Sequence, residues 1–159
     1  MREEDLRKYI CAYSDAVLRV AYTYLKSKED AEDIAQETFL ALMLSKKTYE
    51  NDEHVKAWLL RVAINKCKNF LRSSWYTKRC EFNHTIISEN ENAQDFELLS
   101  AVLALPERYR VPIHLYYYEG YSIEEISKIL GRNTATVGSQ LARDRKKLHD
   151  MLGGDKLEK

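Results

Sequence analysis

Apolar residues return at intervals of three and four from the start of the chain. Leu6, Ile10, Tyr13, Val17, Ala21 and Tyr24 fall on one face of a helix of about six turns. Ser27 is placed to cap a second helix whose opening is acidic (Glu29, Asp30, Glu32, Asp33), a charge that suits the positive end of a helix dipole. Its inward stripe is Ala31, Ile34, Ala35, Thr38 and Leu42, with Phe39 alongside. From Ser45 to Glu53 the periodicity stops and a polar loop is predicted. Asn51 or Asp52 can cap a third helix that runs to about Ser73. Val55, Leu59, Val62, Ala63, Phe70 and the stem of Lys66 line one side of it, with Trp58 and Leu71 at the edge. Three long helices with short connections predict a first compact bundle.

The pattern weakens from about Trp75 to Gln94, where polar residues run without period around Phe82, Ile86 and Ile87. A stretch of that length is long for a connection inside one compact domain and points to a linker between two. Helical spacing resumes over Phe96 to Ala104, breaks at Leu105–Pro106, and continues from Glu107 to about Glu119. Pro106 suits a helix start, whereas Pro112 lies more than a turn inside and predicts a kink or an off-pattern turn. Next come Ser122 and Glu125, a capping box, with Ile123, Ile126 and Leu130 on one face and Gly131 where a left-handed residue ends the helix. Asn133 or Thr134 opens a last helix with Val137, Leu141, Leu148 and Leu152 inward and Arg143, Arg145, Lys146 and Lys147 outward. Two short helices about a tight turn, the second one basic, form a helix-turn-helix pattern, which lays its second helix in a DNA major groove. The same spacing also fits a helical hairpin in an all-α bundle.

Composition sharpens this picture in two places. The 159 residues include only two prolines and five glycines, as an all-α protein requires. The formal net charge is zero, yet the charges are sorted into blocks. Arg61 to Arg79 holds six basic residues and no acid, and Glu81 to Glu97 holds five acids and no lysine or arginine. Sorted charge suits partners of opposite sign, although a single run is often only a solvated face. Lys66, Arg72, Lys78 and Arg79, interleaved with Trp75 and Tyr76, have the make-up of a surface that neutralises phosphates and stacks bases. No secretory signal opens the chain, and no apolar run approaches the ~20 residues of a membrane span. Cys11, Cys67 and Cys80 are too widely spaced for a disulfide framework and fit a reducing cytoplasm; Cys11 and Cys67 are expected as small core residues.

Candidate chemistry is sparse. There is no Gly-rich phosphate loop, no Cys or His pair at metal spacing and no nucleophile elbow. His54, His84, His114 and His149 are scattered, and the acids of Glu29 to Asp33 radiate around a helix rather than converge. No catalytic residue, metal or cofactor is assigned.

The segment Asp30 to Leu40 closely resembles the second conserved region of bacterial RNA polymerase sigma factors, in the small two-domain group called extracytoplasmic-function sigma factors. Trp58 to Asn65, ending in Phe70–Leu71–Arg72, is similar to the promoter-opening helix of that region. Leu105 to Arg110, Tyr118 to Ser122, Glu125–Ile126 and Thr136–Val137 resemble the fourth region. These motifs stand in family order between about Tyr9 and Leu152.

The resemblance implies an all-α protein of two small helical domains. Residues 1–76 would be a three- to four-helix bundle, 77–94 a flexible linker, and 95–153 a helix-turn-helix domain. It implies a sigma factor that binds core RNA polymerase and directs promoter recognition, melting and initiation, with no small-molecule substrate. Asp33, Gln36 and Glu37 would dock on the clamp helices of the largest polymerase subunit. The loop from Ser45 to Glu53, with Lys56, Arg61, Asn65, Lys68 and Arg72, would hold the melted minus-ten strand. Thr136, Gly138, Ser139, Gln140, Ala142 and Arg143 would meet the minus-thirty-five duplex, with Arg145, Lys146 and Lys147 on phosphates. It further implies a cytoplasmic protein, monomeric when free, and an anti-sigma partner. The chain departs from the family pattern at four positions. Gly138 and Gln140 stand where basic residues are frequent, Asn69 where an acid is common, and Asp144 where a small residue is usual.

Two other readings fit parts of the pattern. A stand-alone helix-turn-helix regulator would be a two-fold dimer on a palindromic operator. An adaptor bridging two proteins would leave the basic block and the helix-turn-helix without a role.

Overall fold

The computed structural model describes residues 2–73 and 101–152. The linker expected at 77–94, the basic-aromatic patch from Trp75 to Arg79, and Cys80 lie outside the described residues. The chain divides into two compact units, residues 1–85 and 86–159, each described by itself. Among the described residues the regular structure is entirely helical, and no helix is long and apolar enough to cross a membrane.

In the first unit, helix α1 (Glu3–Leu25) opens with Glu3, Glu4 and Asp5 at its positive end. It ends at Lys26, whose left-handed φ of 57° lets its N–H reach the Tyr22 carbonyl. Ser27 caps α2 (Lys28–Leu44) by accepting from the Asp30 N–H. Asn51, the first of the two residues read as possible caps, accepts from the His54 N–H at 2.8 Å and starts α3 (Asp52–Arg72). The three helices pack pairwise around Val17, Val20, Leu42, Leu59, Leu60 and Ile64, all fully buried. Burying side chains of this size stabilises by roughly 1.5–3 kcal/mol each.

Two expectations need correcting here. Burial on α1 begins only at Ala16; Leu6 and Tyr13 are half-buried, Ile10 is exposed, and Cys11 is exposed rather than core. On α3, Val62, Lys66 and Phe70 are half-buried, while Leu60 and Ile64 are fully buried. That helix meets both α1 and α2, so its buried arc is wider than a single stripe. Cys67 is buried as expected.

In the second unit, residues 101–104 are helical, with Ala101, Val102 and Leu103 buried. Pro106 precedes α4 (Glu107–Ile113), its carbonyl accepting from the Tyr109 and Arg110 N–H groups. Pro112 has no N–H for the Arg108 carbonyl one turn back. The winding widens just after it into a π turn, His114–Tyr118, closed by Glu119 N–H on the His114 carbonyl at 3.2 Å. This is the off-pattern turn that Pro112 predicts. Ser122 and Glu125 complete the capping box of α5 (Ile123–Leu130), with both bonds at 3.1 Å. Gly131 follows at φ 66°, a conformation that disfavours a side chain. Asn133 Oδ1 accepts from the Ala135 N–H and opens α6 (Thr134–Leu152). Within this unit α4 and α5 both pack on α6, around Val111, Ile113, Leu115, Ile126 and Leu148.

Candidate functional site

Asp33, Gln36 and Glu37 are all exposed, on the side of α2 opposite its buried residues Ala31, Ile34, Ala35, Thr38 and Leu42. Their spacing of three and four makes them neighbours on one helical face. Leu40, Met43 and Leu44 continue that face at 53 %, 45 % and 75 % exposure. A face that is acidic for two turns and apolar for the next suits a partner that is basic and then apolar.

On α3, Arg61, Asn65 and Arg72 are exposed and Lys68 is half-buried. At about 100° per residue these four form one row. Lys56 is half-buried and lies about 140° round the helix from Arg61, so it does not share the row. The preceding loop is braced from both sides. Tyr49 meets the Trp58 ring edge-on at 5.8 Å, and its hydroxyl lies 3.1 Å from that of Ser45, which also accepts from the Lys47 N–H. At the far end of the loop, Asp52 gathers three groups from α1. The Tyr9 hydroxyl donates to its carboxylate at 3.3 Å, the Tyr13 hydroxyl donates to its carbonyl at 3.2 Å, and Lys8 Nζ is 3.1 Å from Oδ2. The bond to Asp52 and then its charge hold the Lys8 ammonium above the usual lysine range. Burial first, and the Asp52 charge second, push the Tyr9 and Tyr13 hydroxyls up.

In the second unit Thr136, Ser139, Ala142, Arg143, Lys146 and Lys147 are exposed along α6, and Gly138 is half-buried. The basic residues are not equivalent. Arg145 Nε donates to the Tyr117 hydroxyl at 2.8 Å with its guanidinium over that ring, and Lys147 lies 4.5 Å from the centre of the Tyr109 ring. Arg143 and Lys146 have no such partner among the described residues. A cleft of about 310 Å³ opens between the start of α4 and the first turns of α6, with Arg108 and Tyr109 on one wall and Thr136, Ser139 and Arg143 on the other.

Gln140 does not lie with the exposed group. It is buried at 4 % exposure, and its Oε1 accepts from Arg132 NH1 at 2.9 Å. The same Arg132 nitrogen donates to the Arg108 carbonyl, the one that Pro112 leaves without its helical donor. Position accounts for this correction: 140 is three residues past the buried Val137 and falls on the inward stripe. Asp144 is on that stripe too. It is fully buried, and neither carboxylate oxygen has a hydrogen-bond partner among the described residues. Burial pushes its carboxyl up to about 7, against the opposing pull of Lys147 and Arg143. The Leu152 side chain lies outside the described residues.

Sequence reading offered Asp52 only as a helix cap and Arg108 only within a motif, and did not single out Arg132 or Tyr117. Their roles depend on pairs 8 to 43 residues apart, which no local pattern reveals.

Comparison with known proteins gives a concordant result. The family model described as Sigma-70 region 2 matches residues 10–77, and that described as Sigma-70, region 4 matches residues 95–148. The chain is 33% identical over 129 residues to the RNA polymerase sigma factor SigV of Bacillus subtilis (strain 168), covering 79% of this chain and 77% of that protein. It is 27% identical over 158 residues to the ECF RNA polymerase sigma factor SigW of the same organism, covering 88% and 84%. Among solved structures it is similar to the sigma factor RpoE, co-crystallised with the anti-sigma factor NepR from Bartonella quintana. The TM-score is 0.80 at 21% identity, over 96% of this chain and 99% of that one. At that identity the likeness shows the fold.

Proposed function

The chain belongs to the sigma-70 family of RNA polymerase sigma factors, in its extracytoplasmic-function group; on that premise we propose how its faces divide the work. As a sigma factor it binds core RNA polymerase and directs promoter recognition and transcription initiation.

In our reading Asp33, Gln36 and Glu37 dock on the clamp helices of the largest polymerase subunit. The observation that carries this is the exposed acidic face of α2, set on a helix whose other side is locked into the bundle. Opposite charge steers and registers an interface. Arg61, Asn65, Lys68 and Arg72 hold the melted minus-ten strand, with Lys56 beside the loop from Ser45 to Glu53, where a flipped base is captured. The exposed part of α6, from Thr136 to Arg143, reads the minus-thirty-five duplex, and Lys146 and Lys147 contact phosphates. Gln140 supports that helix from within rather than touching a base.

The working domains are residues 1–76 and 95–153, with 77–94 between them. The protein performs no covalent chemistry; binding energy for the unpaired strand favours the open promoter. It acts in the cytoplasm, is monomeric when free, and is held in check by an anti-sigma partner that covers the α2 and α6 faces.

Asp33→Lys and Glu37→Lys test the docking surface. Both side chains are exposed, so the helical circular dichroism should stay unchanged while affinity for core polymerase falls. Normal affinity in both variants would sink the assignment.

A further inference from the structure

The first half of α1 adds little to the core, since burial on that helix begins at Ala16. Its side chains converge instead on one point of α3. Tyr9 and Tyr13 stack with ring centres 6.2 Å apart and planes 11° from parallel. Their hydroxyls both donate to Asp52, Tyr9 to the carboxylate at 3.3 Å and Tyr13 to the main-chain carbonyl at 3.2 Å. Lys8 brings its ammonium to the same carboxylate at 3.1 Å and lies 5.4 Å from the centre of the Tyr9 ring. Asp52 is the first residue of α3, so these groups fix the exit of the polar loop that begins at Ser45.

Helix α3 does not need them in order to start, because Asn51 already caps it through the His54 N–H. What they add is a hold on the place where the loop rejoins the bundle. The body of the loop is held separately, by Tyr49 against Trp58 and by the Ser45 hydroxyl. A loop that takes in a flipped base binds it only in proportion to the time it spends in the receiving shape. Pinning one end of the loop raises that fraction without touching the base.

We propose that Tyr9 and Tyr13 are positioning residues for minus-ten base capture: by holding Asp52 they keep the loop from Ser45 to Glu53 in its receiving shape. Lys8 acts in the same direction but more weakly, since both partners of its ion pair are at least half exposed. This rests on the assignment of that loop to the minus-ten strand.

The test uses holoenzyme reconstituted with bacterial core polymerase and single-stranded minus-ten oligonucleotides. These carry either the preferred base or an abasic site at the captured position, and the readout is the ratio of the two affinities. A loss of folded protein lowers both affinities alike and leaves the ratio unchanged. Tyr9→Phe combined with Tyr13→Phe keeps both rings and removes only the two hydroxyls. It should lower the ratio by about 2- to 10-fold, the range that such hydrogen bonds support, with abasic-strand and core binding unchanged. The effect of Lys8→Met should be smaller and should vanish at high salt, while that of the tyrosine pair persists.

Tyr49→Ala strips the loop of its ring against Trp58 and tests the loop assignment itself. If it lowers the ratio while the tyrosine pair leaves it intact, the positioning role is overturned and the loop keeps its place on the strand. If neither change moves the ratio, both assignments fall. If the tyrosine pair weakens both oligonucleotides equally, the hydroxyls serve the fold alone, and the positioning role is overturned as well.

Discussion

Asp144 turns into the second unit with 0 % exposure and no hydrogen-bond partner for either oxygen among the described residues. An ionised carboxylate there opposes folding, so the native protein keeps the proton up to about pH 7. The unfolded chain releases it near pH ~4. Between those values the native state binds the proton more tightly, so stability falls as pH rises from about 4 to about 7 and then levels off. Asp144→Ala removes this titration. Hydrogen exchange at the Val137 and Leu148 amides should show the second unit stabilised by about 2–4 kcal/mol at pH ~8, with little gain near pH ~4. Equal pH dependence in the two proteins would contradict the account. Asp144 follows Val137 at a seven-residue interval, which puts it on the inward stripe, although residue type alone argues for an exposed position.

Among the elements, α4 and α6 are joined by a repair to the backbone. Pro112 withholds a donor from the Arg108 carbonyl, and Arg132, in the turn of the helix-turn-helix, supplies one while also holding Gln140. Arg132→Ala would leave a main-chain acceptor and a buried amide without their donor. We predict a loss of about 1–3 kcal/mol, read from urea unfolding of the full chain. A change within error of zero would mean that water replaces the guanidinium without cost. The caps at Ser27 and Ser122 and the left-handed Gly131 were readable because each rests on a few adjacent residues, while Asn51 and Asn133 were each one of two adjacent candidates. The width of the buried arc on α3 was not, because it depends on two neighbouring helices rather than on one period. The exposed start of α1 was likewise hidden, since its apolar spacing continues past the point where burial ends at Ala16.

For the whole molecule, the ordered motifs carried the family in the sequence, and the matches over residues 10–77 and 95–148 agree with that order. The faces that would use these motifs needed side-chain placement. The acidic α2 face was legible from residue type and spacing, whereas the α6 face lost Gln140 to the interior and gained the cleft beside Arg108. The central claim is that this chain confers promoter-specific initiation on core polymerase. Run-off transcription with bacterial core RNA polymerase on a randomised promoter library, with and without the protein, tests it most directly. The account predicts protein-dependent starts whose templates share two spaced elements. No such starts, together with no binding to core, would contradict it.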